Sequence, residues 1–213
     1  MDSFFENQPP LLQGLVLAGG RSTRMGSDKG QLLWHGSPQR TFLVELLEGL
    51  GIPAYISCRP DQAPDLDGFR LVLDQVPDQG PLGAIYSAFA TNPDTAWLVV
   101  ACDMPFLDAA AVQHLLRHRR PDFAGTAYRA PAFDDSSPDP LFAIWEPSVL
   151  PVLEQRIQAG QRCARKALMQ AGVHLLESRN PTVLANVNTP EEAARVLGIA
   201  MPPYADQDFG CDK

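Results

Sequence analysis

Residues Trp97-Leu98-Val99-Val100-Ala101 form an unbroken apolar run, and that run constrains the fold more than any other stretch. A strand with one face to water alternates apolar and polar positions. A strand apolar at every position must be covered on both faces, as central strands of parallel sheets are. Helices must therefore lie above and below the sheet that contains it.

The rest of the chain supplies them, because strand-like and helix-like segments alternate. Leu12 to Ala18 is a second buried run, ending in glycines. Leu32 to Trp34, Ala54 to Ser57 and Phe69 to Asp74 read as short strands, as do Phe123 to Ala127, Leu141 to Trp145, Val173 to Leu176 and Val183 to Val187. Apolar residues at helical spacing predict helices over Thr41–Leu50, Leu82–Thr91, Ala109–His118, Val149–Gln158, Arg162–Ala171 and Glu191–Leu197, the first stopped by Gly51 and the last opened by Thr189 and Pro190. This alternation predicts a single-domain, Rossmann-like α/β three-layer sandwich with a mostly parallel sheet. A length of 213 residues suits one such domain. Its expected extent is 11–199, with an N-terminal tail over 1–10 and an acidic C-terminal tail over 200–213.

Several function classes fall away. The formal net charge of −8 opposes general binding to nucleic acid or anionic membranes. No apolar run is long enough to span a bilayer, and the first ten residues carry Asp2 and Glu6 without a basic residue, unlike a signal peptide. The four cysteines are scattered without CxxC spacing, so free thiols and a cytoplasmic location are expected.

In doubly wound sheets ligands bind beyond the carboxyl ends of the strands, at a topological switch point. The first strand is followed by Leu17-Ala18-Gly19-Gly20-Arg21-Ser22-Thr23-Arg24-Met25-Gly26-Ser27-Asp28-Lys29-Gly30. Glycines let backbone N–H groups approach phosphate oxygens, and Arg21, Arg24 and Lys29 outweigh Asp28. Lys29 is the only lysine before Lys166 in a chain that otherwise uses arginine. A compact ammonium there acts as a point charge on phosphate. The segment is neither a P-loop nor the dinucleotide GxGxxG fingerprint; by composition alone it is either a phosphate cradle or a tight turn with a charged rim.

Asp103 lies just beyond the Trp97–Ala101 strand, at the same crevice. A carboxylate there suits Mg²⁺, which takes carboxylate and phosphate oxygens together. The competing role is a helix cap, for which Asp108 is better placed. Asp74 also ends a strand, as a nucleotide ligand or a turn residue. Asn188 is placed either to give an amide oxygen to a metal or phosphate site or to cap the last helix. The i, i+4 pair His114 and His118 has metal-ligand spacing, but Arg117, Arg119 and Arg120 would repel a cation. Cys102 ends a buried strand and reads as an inert thiol.

The residue order carries more than the composition. LAGGRSTRMGSDKG resembles the opening motif of the molybdenum cofactor guanylyltransferases (MobA-like) of the nucleotidyltransferase superfamily, LAGG-x-S-x-R-M-G-x-D-K. Ala101-Cys102-Asp103-Met104-Pro105 resembles their CD-x-P motif, and Asn186-Val187-Asn188-Thr189-Pro190-Glu191-Glu192 their N-x-NTPEE motif. Leu73-Asp74 followed by Gly80-Pro81-Leu82 is similar to a strand-end Asp and GPL turn. The matches keep chain order from Leu17 to Glu192.

The resemblance implies Mg²⁺-dependent transfer of GMP from GTP to the phosphate of molybdopterin cofactor, with release of pyrophosphate. Lys29, Arg21 and Asp103 would be catalytic. Leu17, Ala18, Gly19, Gly20, Lys29, Ser57, Asp74 and Asp103 would bind the nucleotide, and Asp103 and Asn188 the metal. Asn186, Asn188, Arg162 and Lys166 would meet the acceptor, the last two from one helix face. Ser57 stands where these enzymes often carry an asparagine, so a hydroxyl replaces a carbonyl and an amide. Transient contact with other cofactor-biosynthesis proteins is a further expectation. A transferase using CTP or another triphosphate on a different phosphate, or a nucleotide-binding module without catalysis, are the alternatives to be weighed.

Overall fold

A computed structural model describes residues 8–18, 29–130, 137–178, 180–187 and 192. Its centre is a seven-stranded sheet. The strands are β1 (Leu12–Leu17), β2 (Ala54–Cys58), β3 (Leu71–Leu73), β4 (Ala96–Ala101), β5 (Gly125–Arg129), β6 (Pro138–Trp145) and β7 (Val173–Leu176). The helices are α1 (Gln39–Gly49), α2 (Gly80–Thr91), α3 (Ala109–Arg117), α4 (Leu150–Gln158) and α5 (Ala164–Ala171). The order across the sheet is β3-β2-β1-β4-β6-β5-β7. Only β6 runs against the rest, antiparallel to both β4 and β5, so the expected mostly parallel α/β sandwich is the fold.

The continuous apolar run of β4 is explained by what covers it. Ala96, Leu98 and Val100 face one core layer with Leu43, Val44 and Leu47 of α1 and Val112 and Leu115 of α3. Trp97 and Val99 face the other, with Leu82, Ile85 and Phe89 of α2, Leu153 of α4 and Leu168 of α5. All six β4 residues are buried. Burial of a large apolar side chain contributes roughly 1.5–3 kcal/mol, so β4 is the anchor of both layers.

Two glycines are dictated by close approach. A Cβ on Gly14 in β1 would stand 2.6 Å from Leu47 Cδ1 of α1. One on Gly125 in β5 would stand 2.7 Å from the Ile144 carbonyl oxygen and 2.7 Å from Leu168 Cδ1. Gly51, at φ +78°, provides the left-handed residue after α1, where the sequence predicts the helix to stop.

The chain leaves β1 outward to β2 and β3, then returns to place β4 on the other side of β1. That reversal is the switch point at which ligands bind in such sheets. Leu17 pairs with Ala101, so the glycine-rich loop and the Asp103 turn leave the sheet side by side.

Two predicted strands are not strands. Leu32 to Trp34 follows a 3-10 turn over Lys29–Gln31, and the Leu32 carbonyl accepts from the Gln39 N–H at 2.9 Å; its hydrogen bonding goes to the start of α1 instead of a sheet edge. Val183 to Val187 begins inside a 3-10 turn, Pro181–Leu184, because the Asn180 side chain accepts from the Thr182 N–H at 3.2 Å. Val183 and Leu184 still fill the core, which is why their pattern mimics a strand. The predicted helix over Glu191–Leu197, Glu192 excepted, the C-terminal tail and residues 1–7 of the N-terminal tail fall outside the described residues.

Candidate active site

The site is assembled at the carboxyl end of the sheet. Ala18, buried, donates its N–H to the Ser57 carbonyl at 3.2 Å, tying the exit of β1 to the end of β2. Leu17 is half-buried beside it. Gly19, Gly20 and Arg21 lie outside the described residues; Lys29 opens the 3-10 turn that leads out of the loop.

Ser57 is fully buried, and its hydroxyl donates to Asp74 Oδ1 at 2.9 Å. The Asp74 N–H in turn donates to the Cys58 carbonyl at 2.9 Å. The two residues are therefore one unit: Ser57 orients the carboxylate. Burial raises the Asp74 carboxyl above its ordinary range, against the lowering effects of the Ser57 hydrogen bond and the Arg59 charge.

Asp103 follows β4 by two residues. Its carbonyl accepts from the Val187 N–H at 2.7 Å, which brings buried Asn186 to the same turn; Asn188 lies outside the described residues. Asp108 caps α3, accepting from the Ala111 N–H at 2.7 Å. The capping role is thus filled by Asp108, as its position predicts.

Sequence reasoning missed Asp139. Because β6 runs antiparallel to β4, its beginning lies at the end of the sheet where β4 finishes. Asp139 is buried there, with Oδ1 accepting from the N–H groups of Leu141 at 2.9 Å and Phe142 at 3.3 Å. Burial pushes its carboxyl up to about 6; the two backbone N–H groups and Arg165 oppose the shift and the Asp103 charge adds to it. The available signal was a Pro-Asp-Pro opening an apolar run, but the strand's direction could not be read from it.

Asp103, Asp139 and Asn186 offer only oxygen ligands, which suits a hard cation such as Mg²⁺. Among the described residues no group of three or more His, Cys, Asp or Glu could hold a metal. Mg²⁺ commonly takes one or two carboxylates and completes its shell with phosphates and water, so Asp103 fits that role. His114 Nδ1 meets the Tyr128 hydroxyl and His118 Nδ1 the His114 carbonyl, each at 2.8 Å, and among the described residues the pair belongs to no metal-holding group.

A small cleft opens at the start of β6. Pro81 of α2, Pro140 and Leu141 of β6, and the stretch from Arg162 to Arg165 wall it. The helix begins at Ala164, after Cys163 in an extended conformation, so Arg162 and Lys166 do not share a helix face as their spacing suggested. Arg165 stands with Arg162 on the cleft wall, and Lys166 does not. Cys58 and Cys102 are free and buried; burial, reinforced by Asp74, pushes the Cys58 thiol up to about 11. Cys163 is disulfide-bonded, contrary to the expectation of free thiols, because spacing along the chain does not report which thiols meet in space.

Residues 14–202 match the model of the MobA-like NTP transferase domain. The chain is 30% identical to a molybdenum cofactor biosynthesis bifunctional protein of Synechocystis over 89% of its own length and 54% of that protein, so it spans about half of that relative. It is 36% identical to a molybdenum cofactor guanylyltransferase of Pseudomonas putida, over 83% of this chain and 93% of that one. Among solved structures, the molybdopterin-guanine dinucleotide biosynthesis protein A of Archaeoglobus fulgidus shares the fold, with TM-score 0.70, 22% identity, and coverage of 86% of this chain and 96% of that one. No helix among the described residues is long and apolar enough to cross a membrane.

Proposed function

The chain belongs to the MobA-like NTP transferase family, and on that premise we propose that it transfers GMP from GTP to the phosphate of molybdopterin cofactor, releasing pyrophosphate. One observation carries the reading: the pairing of Leu17 with Ala101 sets the start of the glycine-rich loop beside the turn that bears Asp103. A triphosphate cradle and a metal-binding carboxylate then meet at one point.

In this reaction an oxygen of the acceptor phosphate attacks the α-phosphorus of GTP in line. A new P–O bond forms, the bond to the bridging oxygen breaks, and pyrophosphate leaves with that electron pair. Mg²⁺, when bound, supplies charge neutralisation and a template for the phosphate oxygens. Asp103 is the residue that holds it, with Asn188 as a second ligand. Lys29, Arg21 and the N–H groups of Gly19 and Gly20 hold the triphosphate and stabilise the charge that develops on it. Arg162 and Arg165, on the cleft wall, hold the acceptor's phosphate, with Asn186 contributing from the Asp103 side. GTP is a cytoplasmic substrate, and the activity belongs to that compartment.

Asp74 supports guanine as the base. An ionised carboxylate only accepts hydrogen bonds. Guanine offers adjacent N–H donors on its pairing edge, whereas cytosine has one amino donor beside an acceptor. The Ser57 hydroxyl, committed to Asp74 at 2.9 Å, acts through that carboxylate.

The test is pyrophosphate release from each triphosphate in Mg²⁺ with molybdopterin cofactor as acceptor. Release from GTP, matched by guanylylated product, is expected. Equal or faster release from CTP would overturn the base assignment, and GTP binding without any release would make the chain a binding module.

A further inference from the structure

Three consecutive carbonyls of the Asp103-Met104-Pro105 turn accept hydrogen bonds from two separate parts of the chain. Asp103 accepts from the Val187 N–H at 2.7 Å. Met104 accepts from Gln39 Nε2 at 3.1 Å. Pro105 accepts from His35 Nε2 at 2.8 Å; a carbonyl can only accept, so the ring carries a proton on Nε2. The turn's internal hydrogen bonds are longer, Met104 N–H to Ala101 at 3.3 Å and Leu107 N–H to Met104 at 3.4 Å, beyond the usual N–H···O range. Its conformation therefore depends on the outside donors.

Two of those donors lie between Lys29 and the first residue of α1, at the exit of the glycine-rich loop, and each is braced from behind. The His35 ring stacks on Phe42 with centroids 3.8 Å apart. Gln39 is the first residue of α1, is fully buried, and donates its N–H to the Leu32 carbonyl at 2.9 Å. Gln39 Oε1 is buried with no hydrogen-bond partner among the described residues. An unsatisfied buried acceptor costs free energy that an apolar residue would avoid. The amide that leaves this oxygen unpaired is the one whose N–H donates to the Met104 carbonyl.

We propose that His35 and Gln39 are positioning residues that lock the Asp103 turn to the exit of the nucleotide loop, so that carboxylate and triphosphate stay in register. A displacement of about 1 Å at such a site costs on the order of a hundred-fold in rate. The inference rests on the reading of Asp103 as the metal ligand in nucleotidyl transfer, and deepens it.

His35→Phe keeps a ring on Phe42 and removes the donor; His35→Gln restores a donor without the ring. Gln39→Met keeps the volume and removes the amide. The readouts are GTP affinity without metal, Mn²⁺ affinity of the GTP complex by paramagnetic resonance, and amide exchange of residues 101–107 in the ligand-free protein. For His35→Phe and Gln39→Met, exchange accelerates and Mn²⁺ affinity falls about ten-fold, the scale of one lost hydrogen bond, while metal-free GTP affinity holds. His35→Gln recovers most of the Mn²⁺ affinity. Unchanged Mn²⁺ affinity in both variants would overturn the proposal, as would a parallel loss of metal-free GTP affinity. If the wild-type protein bound neither GTP nor Mn²⁺, the proposed function would fail; the ligand-free exchange comparison would still decide whether the two residues hold the turn.

Discussion

The Val187 N–H donates to the Asp103 carbonyl at 2.7 Å, joining the last described segment of the chain to the turn that follows the central strand. Neither residue donates or accepts through its side chain in this bond. The bond holds the backbone of the Asp103 turn and does not involve the Asp103 carboxylate. Asp103→Asn should preserve the fold, with a melting temperature near wild type, yet lower guanylyl transfer by at least about a hundred-fold, in the range reported for loss of a preorganised charge-stabilising group. Lys29→Ala should do the same at saturating Mg²⁺. Near-wild-type pyrophosphate release from either variant would remove that residue from the machinery.

Ser57→Ala tests the buried Ser57–Asp74 unit. The serine hydrogen bond lowers the Asp74 carboxyl while burial raises it. Without the hydroxyl the carboxyl shifts further up. A protonated Asp74 loses acceptor capacity toward the base, so GTP affinity should weaken as pH falls, and in Ser57→Ala that weakening should begin at a higher pH. Titration of GTP binding against pH in both proteins checks the order.

Asp139 predicts a pH-dependent stability. Burial pushes its folded carboxyl up to about 6 from the ordinary 3.8, so between those values the folded state holds a proton that the unfolded chain has released. The stabilisation linked to that proton is complete below the unfolded value and is lost as pH rises to about 6. Two units correspond to roughly 3 kcal/mol at most. Asp139→Asn removes the titration. Urea denaturation between pH 4 and 7.5 should show the wild type losing stability relative to Asp139→Asn as pH rises, with no further change above about pH 7.

Gly125→Ala should destabilise more than Gly14→Ala. The added methyl at Gly125 meets the Ile144 carbonyl oxygen, a backbone atom of the paired strand, as well as the Leu168 side chain, both at 2.7 Å. At Gly14 the close contact is the end of the Leu47 side chain at 2.6 Å, which can rotate away. Overpacking of this kind costs about 1–3 kcal/mol. Thermal unfolding of the two variants ranks them; the reverse order would mean that β5 and β6 shift more easily than α1.

What the sequence determined by itself were local properties. The unbroken apolar character of Trp97 to Ala101 required cover on both faces, and helices on both faces provide it. Asp108 was legible as the cap of α3 because a cap is defined by its neighbours in sequence. The places of Asp74 and Asp103 just past strand ends were legible because each follows a recognisable apolar run, and the motif order named the family. What the tertiary structure decided were relations set by direction and distance. The reversal of β6 put Asp139 beside Asp103, and no residue pattern states which way a strand runs. The start of α5 at Ala164 moved Arg162 off the helix face and brought Arg165 to the cleft. Hydrogen bonds to the carbonyls of Asp103, Met104 and Pro105 gave Val187, Gln39 and His35 their places. Such bonds use backbone acceptors that every residue carries, so their partners are chosen only when the folded chain brings the donors within reach.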